Sequence, residues 1–353
     1  MDFYFPIANH LINIPILLIA SGGVGFVSGL FGLGGGFLMT PILMFLGVPS
    51  SVAVATGSAQ LVASSSSGVL AARRNGTINH RLAVILIIGA MIGTGAGVWF
   101  FNLMGRLGHL EPIITGTYIL LLGSIGLSML RESVIALRQK NRTPDQALQH
   151  GPLQHWFASL PFRYEFTELN VVISLVPLLG TATLIGFIGA VLGVGGGFMM
   201  VPALIYIFRV PARIVVGTSQ FQILFTMIAA TLMHATLNHA VDLLMAVPLI
   251  MGAVIGAQFG VLAGKKIQGP AFRLALAVLI LAVALRFAGM VIGDLIGMNP
   301  AAPVEIAPEG APVAPWVHWV AEQAATQGFL YGLATVLLAL AAGWLATMRL
   351  KRH

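Results

Sequence analysis

Nine apolar stretches dominate the chain, at residues 11–31, 51–72, 82–104, 111–131, 171–192, 212–236, 243–263, 270–293 and 325–348. Each approaches the ~20 residues that a helix needs to cross the hydrocarbon core of a bilayer. A water-facing globule would have to coat such segments with polar surface, and soluble domains carry about 25% charged residues for that purpose. This chain has 8% charged and 58% hydrophobic residues. The segments therefore predict an all-α membrane protein with lipid as its solvent. The 42 glycines fit that reading, because small residues let helix backbones approach closely within a membrane. No Lys or Arg precedes the first stretch, so it does not read as a cleavable signal. With no Cys, the sequence has no disulfide framework, thiolate metal site or Cys nucleophile.

The chain repeats itself. Residues 29–41 read GLFGLGGGFLMTP and residues 189–202 read GAVLGVGGGFMMVP. Gly34, Gly35, Gly36 and Phe37 match Gly195, Gly196, Gly197 and Phe198, and Pro41 matches Pro202. The order continues through Val48-Pro49 and Val210-Pro211, Thr56 and Thr218, and Gln60 and Gln222. It ends with Gly89, Gly93 and Gly97 against Gly252, Gly256 and Gly260. So many ordered matches at a nearly constant offset mark a duplication.

Charge predicts how each copy lies. The net charge of +7 could suggest nucleic acid, but the basic residues sit in short loops between apolar spans, as orientation in a membrane requires, so no nucleic-acid partner is expected. All Lys and Arg except Arg106 and Arg286 fall on one side if residues 73–81, 131–170, 209–213, 265–273 and the tail after 348 are placed in the cytoplasm. The N-terminus then lies outside and the C-terminus inside. Residues 11–47 start and end outside, and 171–209 start and end inside. Both become hairpins or re-entrant pairs broken at glycine, and the two copies acquire opposite topology. Inverted repeats with glycine-interrupted segments at corresponding places point to a secondary transporter. The expected organisation is a first transmembrane repeat over 1–131, a cytoplasmic loop over 132–170 and a second, inverted repeat over 171–293. An external Pro/Ala-rich linker over 294–320 and an extra C-terminal transmembrane helix with a basic tail over 321–353 complete it. Trp156, Phe157, Phe162 and Tyr164 suggest an interfacial segment within the loop.

The candidate site follows from the repeats. Irregular backbone at membrane depth is tolerated where protein or a water-filled cavity satisfies it. A half-helix starting after Gly34–Gly36 or Gly195–Gly197 would offer free N–H groups and a positive dipole end to an anion; the alternative is close helix packing. Beyond each hairpin lie Thr56, Ser58 and Gln60, and Thr218, Ser219 and Gln222. The i, i+4 spacing of Thr56 with Gln60, and of Thr218 with Gln222, puts each pair on one helical face. Hydroxyls and amides can ligate an oxyanion without burying an opposite charge, and they also serve as interhelical hydrogen bonds. Ser64 to Ser67 read as helix-packing residues.

The 11 carboxylates lie in loops or at span ends, with Asp242 placed in an outer loop, so no intramembrane acid supports a cation carrier. Arg286 lies within a span, where it either attracts an anion or snorkels to the interface. His234, near a span end, either takes a proton role or sits at the interface. The scattered histidines give no metal site, and the absence of a G-x-S-x-G elbow leaves an intramembrane hydrolase unsupported. No cofactor and no enzymatic activity are expected.

The twice-occurring G-x-G-G-G-Phe stretch with a downstream Pro, the Val-Pro turn, and Ala55-Thr56-Gly57-Ser58 or Gly217-Thr218-Ser219 resemble the TauE/SafE sulfite exporter family, also called toluene-sulfonate uptake permeases. The resemblance covers about 29–104 and 189–263. It implies transport of sulfite, a sulfonate or a related oxyanion across a bacterial cytoplasmic (inner) membrane, with Gly34–Gly36, Gly195–Gly197, Thr56 and Thr218 as motif positions. The first copy departs from the Gly-Thr-Ser pattern. The expected function is alternating-access transport of a small sulfur-containing anion, with an anion channel or a non-transporting scaffold as rivals. Export or uptake, coupling ion and homo-oligomerisation stay open.

Overall fold

The computed structural model describes residues 2–31, 36–138, 163–166, 171–264, 270–296 and 315–349. Gly34 and Gly35, the aromatic residues Trp156, Phe157 and Phe162, and the 297–314 part of the linker fall outside those residues. An antiparallel ribbon of β1 (Asp2–Phe5) and β2 (His10–Asn13) leads into α1 (Ile14–Phe31), α2 (Gly36–Phe45), α3 (Ser50–Arg74), α4 (His80–Arg106) and α5 (Leu110–Arg138). A second antiparallel ribbon, β3 (Arg163–Phe166) with β4 (Val171–Ser174), leads into α6 (Leu175–Leu192) and α7 (Gly197–Pro202). Then come α8 (Ala212–Met233), α9 (Leu243–Gly264) and α10 (Pro270–Ile296). Two final helices, α11 (Pro315–Thr326) and α12 (Gly328–Arg349), follow. Wide π turns at Ala203–Ile207 and His234–Asn238 extend α7 and α8.

Helices α1 to α5 and α6 to α10 thus correspond in order, each half introduced by a β ribbon. The ribbons were not expected: the first replaces the start of the apolar stretch at residue 11, and Tyr164 lies in the second. The packing respects the correspondence. Helix α1 lies along α9 while its counterpart α6 lies along α4, and the matched pairs α3–α8 and α5–α10 pack on each other. Exchanging the halves maps these contacts onto themselves.

Glycine sets the tightest of these approaches. A Cβ at Gly93 of α4 would overlap the carbonyl of Thr183 on α6, and a Cβ at Gly256 of α9 would overlap the carbonyl of Gly22 on α1. The glycines matched by the duplication are therefore the contact stripes of two equivalent helix crossings. In a membrane, where lipid is as apolar as any side chain, such close packing is a main source of cohesion.

Seven described helices are long and apolar enough to cross a membrane, rather than the nine stretches expected. The stretch at 11–31 yields an apolar helix too short to count, Ile14–Leu30. Helix α3 is long, but rich in Ser and Ala. It can be so because it is buried almost along its whole length, from Ser50 to Ala72, inside the bundle. A helix shielded from lipid by α8, α9, α12 and α2 has no need of an apolar surface. The molecule is a multi-pass α-helical membrane protein.

Candidate functional site

Helices α3 and α8 form the centre. Each begins directly after a proline, Pro49 and Pro211, whose fixed φ and missing N–H suit a helix start. The two run antiparallel. Ala55 of α3 packs with Ala235, Ala240 and Val241 beyond the end of α8, while Ala72 and Arg74 at the other end of α3 lie near Arg213 and Gly217 at the start of α8.

Thr56 and Thr218 are fully buried, and the structure gives them the same partner type. Thr56 Oγ1 accepts the Asp242 N–H at 3.0 Å, and Thr218 Oγ1 accepts the Asn79 N–H at 3.2 Å. Asp242 and Asn79 in turn occupy matched positions at the starts of α9 and α4. Asn79 Oδ1 accepts the Leu82 N–H at 2.9 Å, and Asp242 Oδ1 accepts the Met245 N–H at 3.1 Å. A helix start leaves four N–H groups unpaired, and a short acceptor side chain satisfies them. Each threonine thus ties the central helix of one half to a helix start in the other half, as an interhelical anchor.

Asp242 was expected in an outer loop. It does sit between two spans, but with no exposed surface. Its second oxygen accepts the N–H groups of Ile7 at 3.2 Å and Ala8 at 3.4 Å, in the turn of the first ribbon. Burial raises its pKa above the usual carboxylate value, opposed by backbone donors from Met245, Ala8, Ile7 and Leu244.

Gln60 and Gln222 are buried on the same two helices. Gln222 Nε2 donates to Thr226 Oγ1 at 3.2 Å, while the Oε1 atoms of both glutamines find no partner. Ser219 Oγ is also buried without a partner, as are the hydroxyls of Thr94 and Thr231. Ser58 is different: its Oγ donates to Val54 O at 2.9 Å within α3, which occupies its proton. Unpaired buried polar atoms each cost about 1–3 kcal/mol. Those on α3 and α8 (Gln60, Ser219, Gln222 and Thr231) therefore call for a ligand or water to meet them.

The glycine break of the second half is seen directly. Helix α6 ends at Leu192, α7 starts at Gly197, and Gly193, Gly195 and Gly196 have φ of +68°, +72° and +72°. That left-handed backbone is available to glycine at no steric cost. Both glycine corners reach the same residue: a Cβ on Gly36 or on Gly195 would press on Leu61, next to Gln60. Phe37 and Phe198, equivalent by the duplication, stack with ring centres 5.0 Å apart. The two half-helix starts thus meet through apolar contacts.

His234 lies in the turn that extends α8. It is fully buried against Phe101, with ring centres 4.7 Å apart. Its Nε2 contacts Ala190 O at 3.3 Å and its Nδ1 contacts Asn238 Nδ2 at 2.8 Å. A carbonyl can only accept, so the ring carries its proton on Nε2. Tyr118 Oη donates to Leu192 O at 2.7 Å. Two carbonyls of the last turn of α6, left without helical partners by the break, are thus satisfied by side chains. Arg286 is exposed on α10, its guanidinium carbon 5.9 Å from the centre of the Phe45 ring, away from the seam.

A cavity of about 280 Å³ opens where α3 ends and α8 begins. Residues lining it include Ser28, Ser64, Ser67, Arg74, Arg213, Gln220 and Gln258, and none of the sequence-predicted site residues is among them. Spacing carried a signal for it: Ser64, Ser67, Gly68 and Ala71 form an i, i+3, i+4, i+7 stripe on α3. Ser64 Oγ also donates to Leu61 O at 3.2 Å, and Ser65 and Ser66 likewise bond to carbonyls of their own helix.

The sequence profile of the family Sulfite exporter TauE/SafE matches residues 17–287. That of a transmembrane protein family, Alph_Pro_TM, matches residues 315–352. The chain is similar to Probable membrane transporter protein YunE of Bacillus subtilis (strain 168), 29% identical over 265 residues that cover 72% of this chain and 89% of that protein. A Probable membrane transporter protein of Xylella fastidiosa (strain 9a5c) is 30% identical over 254 residues, covering 71% and 85%. Probable membrane transporter protein YjnA of Bacillus subtilis (strain 168) is 27% identical over 238 residues, covering 67% and 85%. No solved structure matches.

Proposed function

The chain belongs to the TauE/SafE sulfite exporter family, and from that premise we propose that this membrane transporter moves a small sulfur-containing oxyanion by alternating access between two inverted repeats. The repeats are 1–131 and 171–293, joined by the cytoplasmic loop 132–170. The linker 294–320 and the helix and tail of 321–353 are additions. The membrane is the bacterial cytoplasmic one, with the N-terminus outside and the basic C-terminus inside, as the placement of Lys and Arg favours. Opposite topology is favoured by the antiparallel course of the matched helices α3 and α8.

The observation that carries the reading is the buried, uncharged polar seam at Gln60, Ser219 and Gln222, whose unpaired atoms lie on the helices that the duplication matched. An amide turned about its last torsion presents NH₂ in place of oxygen, and a hydroxyl donates to any acceptor that arrives. Neutral donors hold an anion without trapping it, which a carrier requires. Thr56 and Thr218 brace this site, the glycine corners Gly34–Gly36 and Gly195–Gly197 give it room to move, and the half-helix starts at Gly36 and Gly197 add positive dipole ends. Arg286 and His234 act outside it, the first at the lipid face and the second on α6.

Proteoliposome counterflow tests the proposal. Sulfite, thiosulfate, sulfoacetate and taurine are offered against acetate. At least one sulfur anion should exchange faster than it leaks, and Gln60→Ala and Gln222→Ala should each slow exchange by about tenfold or more, with thermal stability little changed. Exchange that ignores both glutamines would leave a scaffold role, and flux without exchange acceleration would indicate a channel.

A further inference from the structure

The cavity at the Arg74–Arg213 end carries two arginines, and no acidic residue is among the described residues that line it. We propose that it is a vestibule that binds an oxyanion before the anion enters the α3–α8 seam, a site separate from Gln60 and Gln222. Arg74 comes from the last turn of α3 and Arg213 from the first turn of α8, so two helices bring one guanidinium each to a single space. Guanidinium is the side-chain group best matched to a planar or tetrahedral oxyanion, offering paired donors from a charge that no pH in the cell removes. Ser28, Ser67, Gln220 and Gln258 supply neutral hydroxyl and amide groups from α1, α3, α8 and α9. At about 280 Å³ the space lies at the small end of ligand pockets, sized for a small hydrated anion.

The opposite end of the same seam shows that this is no by-product of the duplication. The positions matching Arg74, Arg213, Ser67 and Gln258 are Thr236, Ser51, Ala229 and Gly95, which carry no charge. Where Ala72 lines the cavity, the other half has His234, which fills the space and is packed beneath Phe101. Neither arginine has a charged counterpart at the other end. Low-dielectric walls around two like charges concentrate counter-ions by factors of 10 or more.

The absence of Cys makes this 353-residue chain a ready background for testing this. Ser67→Cys and, independently, Ser28→Cys each put one thiol in the cavity. Each purified variant is reacted with two methanethiosulfonate reagents of similar size, one bearing a sulfonate and one a trimethylammonium, with rates normalised to a free thiol. The sulfonate reagent should win by roughly tenfold or more. Arg213→Gln and Arg74→Gln should each bring the ratio toward one, and millimolar sodium sulfate should slow the sulfonate reagent more than sodium chloride of equal ionic strength. A ratio at or below one, a ratio the arginines do not change, or thiols that neither reagent reaches would overturn the vestibule. Its place on a transport path rests on the proposed function, yet selectivity is read here without any flux. A chain that fails in counterflow but keeps the ratio loses the transport reading and retains the vestibule.

Discussion

Thr56 and Thr218 occupy matched positions and each accepts one backbone N–H from the opposite half, yet the helix starts they hold differ. Asn79 begins α4 with a neutral amide, whereas Asp242 begins α9 with a carboxyl group. The carboxyl group has a spare oxygen, and the turn of the first β ribbon uses it through Ile7 and Ala8. Tyr331 of α12 adds a third tie, its Oη accepting the Leu243 N–H at 2.8 Å. The same helix start is thus capped by an amide in one half and by a carboxyl group that also holds the first ribbon in the other. Duplication has kept the backbone geometry, while side-chain chemistry has diverged where later segments dock. The α12 helix shows the same bias, packing on α3 and on the turn after α8.

The sharpest way to break the comparison is at the glycine crossings. Gly93→Val and Gly256→Val each drive a side chain into a carbonyl of the neighbouring helix, Thr183 and Gly22 respectively. Backbone cannot yield as a flexible side chain can, so both variants should lose about 3 kcal/mol or more and most of their monodisperse yield in gel filtration. Gly95→Ala, with nothing within 4 Å of the new Cβ, should behave as the parent. If one crossing tolerates valine and the other does not, the two halves are not mechanically equivalent.

His234 tests the asymmetry directly, because the matching residue is Ala72. His234→Leu removes the group that meets Ala190 O and Asn238 Nδ2. A cost of about 1–3 kcal/mol per orphaned group is expected, read as a lowered melting midpoint. His234→Gln, which can offer both a donor and an acceptor, should recover part of it. A smaller and symmetric effect should come from Thr56→Val and Thr218→Val. Each strands one buried N–H, so each should cost about 1–3 kcal/mol, with Thr→Ser sparing most of the loss. Unequal losses would mean that Asp242 or Asn79 finds another acceptor.

Much of this was legible in the residues. The duplication located both crossings and the break at Gly195–Gly197, because glycine's steric freedom leaves a sequence signature wherever backbones meet or turn. The polar face of α3 and α8 was visible through spacing. The threonines' partners were not, since Asp242 and Asn79 lie far along the chain and only folding brings them near. Asp242 looked like a loop acid because composition reports where a residue falls in the sequence and says nothing of what covers it. The β ribbons were hidden by length: four-residue strands beside apolar helices have no period to detect. The cavity's small and hydroxyl residues left a stripe on α3, but its arginines belong to loop-edge positions that charge counting assigns to orientation.

The mildest test concerns the Asp242 carboxyl group. In the unfolded chain it titrates near 3.8. In the folded chain burial raises that value, so the folded protein holds the proton more tightly than the unfolded one does. The stability this contributes is complete below the unfolded pKa and is lost as pH rises through the raised folded pKa. Asp242→Asn has no such proton. Its amide can keep the Met245 cap, as Asn79 keeps that of Leu82, but it offers the ribbon turn a donor where Ile7 and Ala8 need an acceptor. That penalty is the same at every pH. The parent should therefore lead the variant by most at about pH 4, with the lead shrinking by a few degrees of melting midpoint toward neutrality. A lead that grows with pH would mean that the four backbone donors outweigh burial, making Asp242 a permanent anion and α9 the more rigidly anchored of the two matched helices.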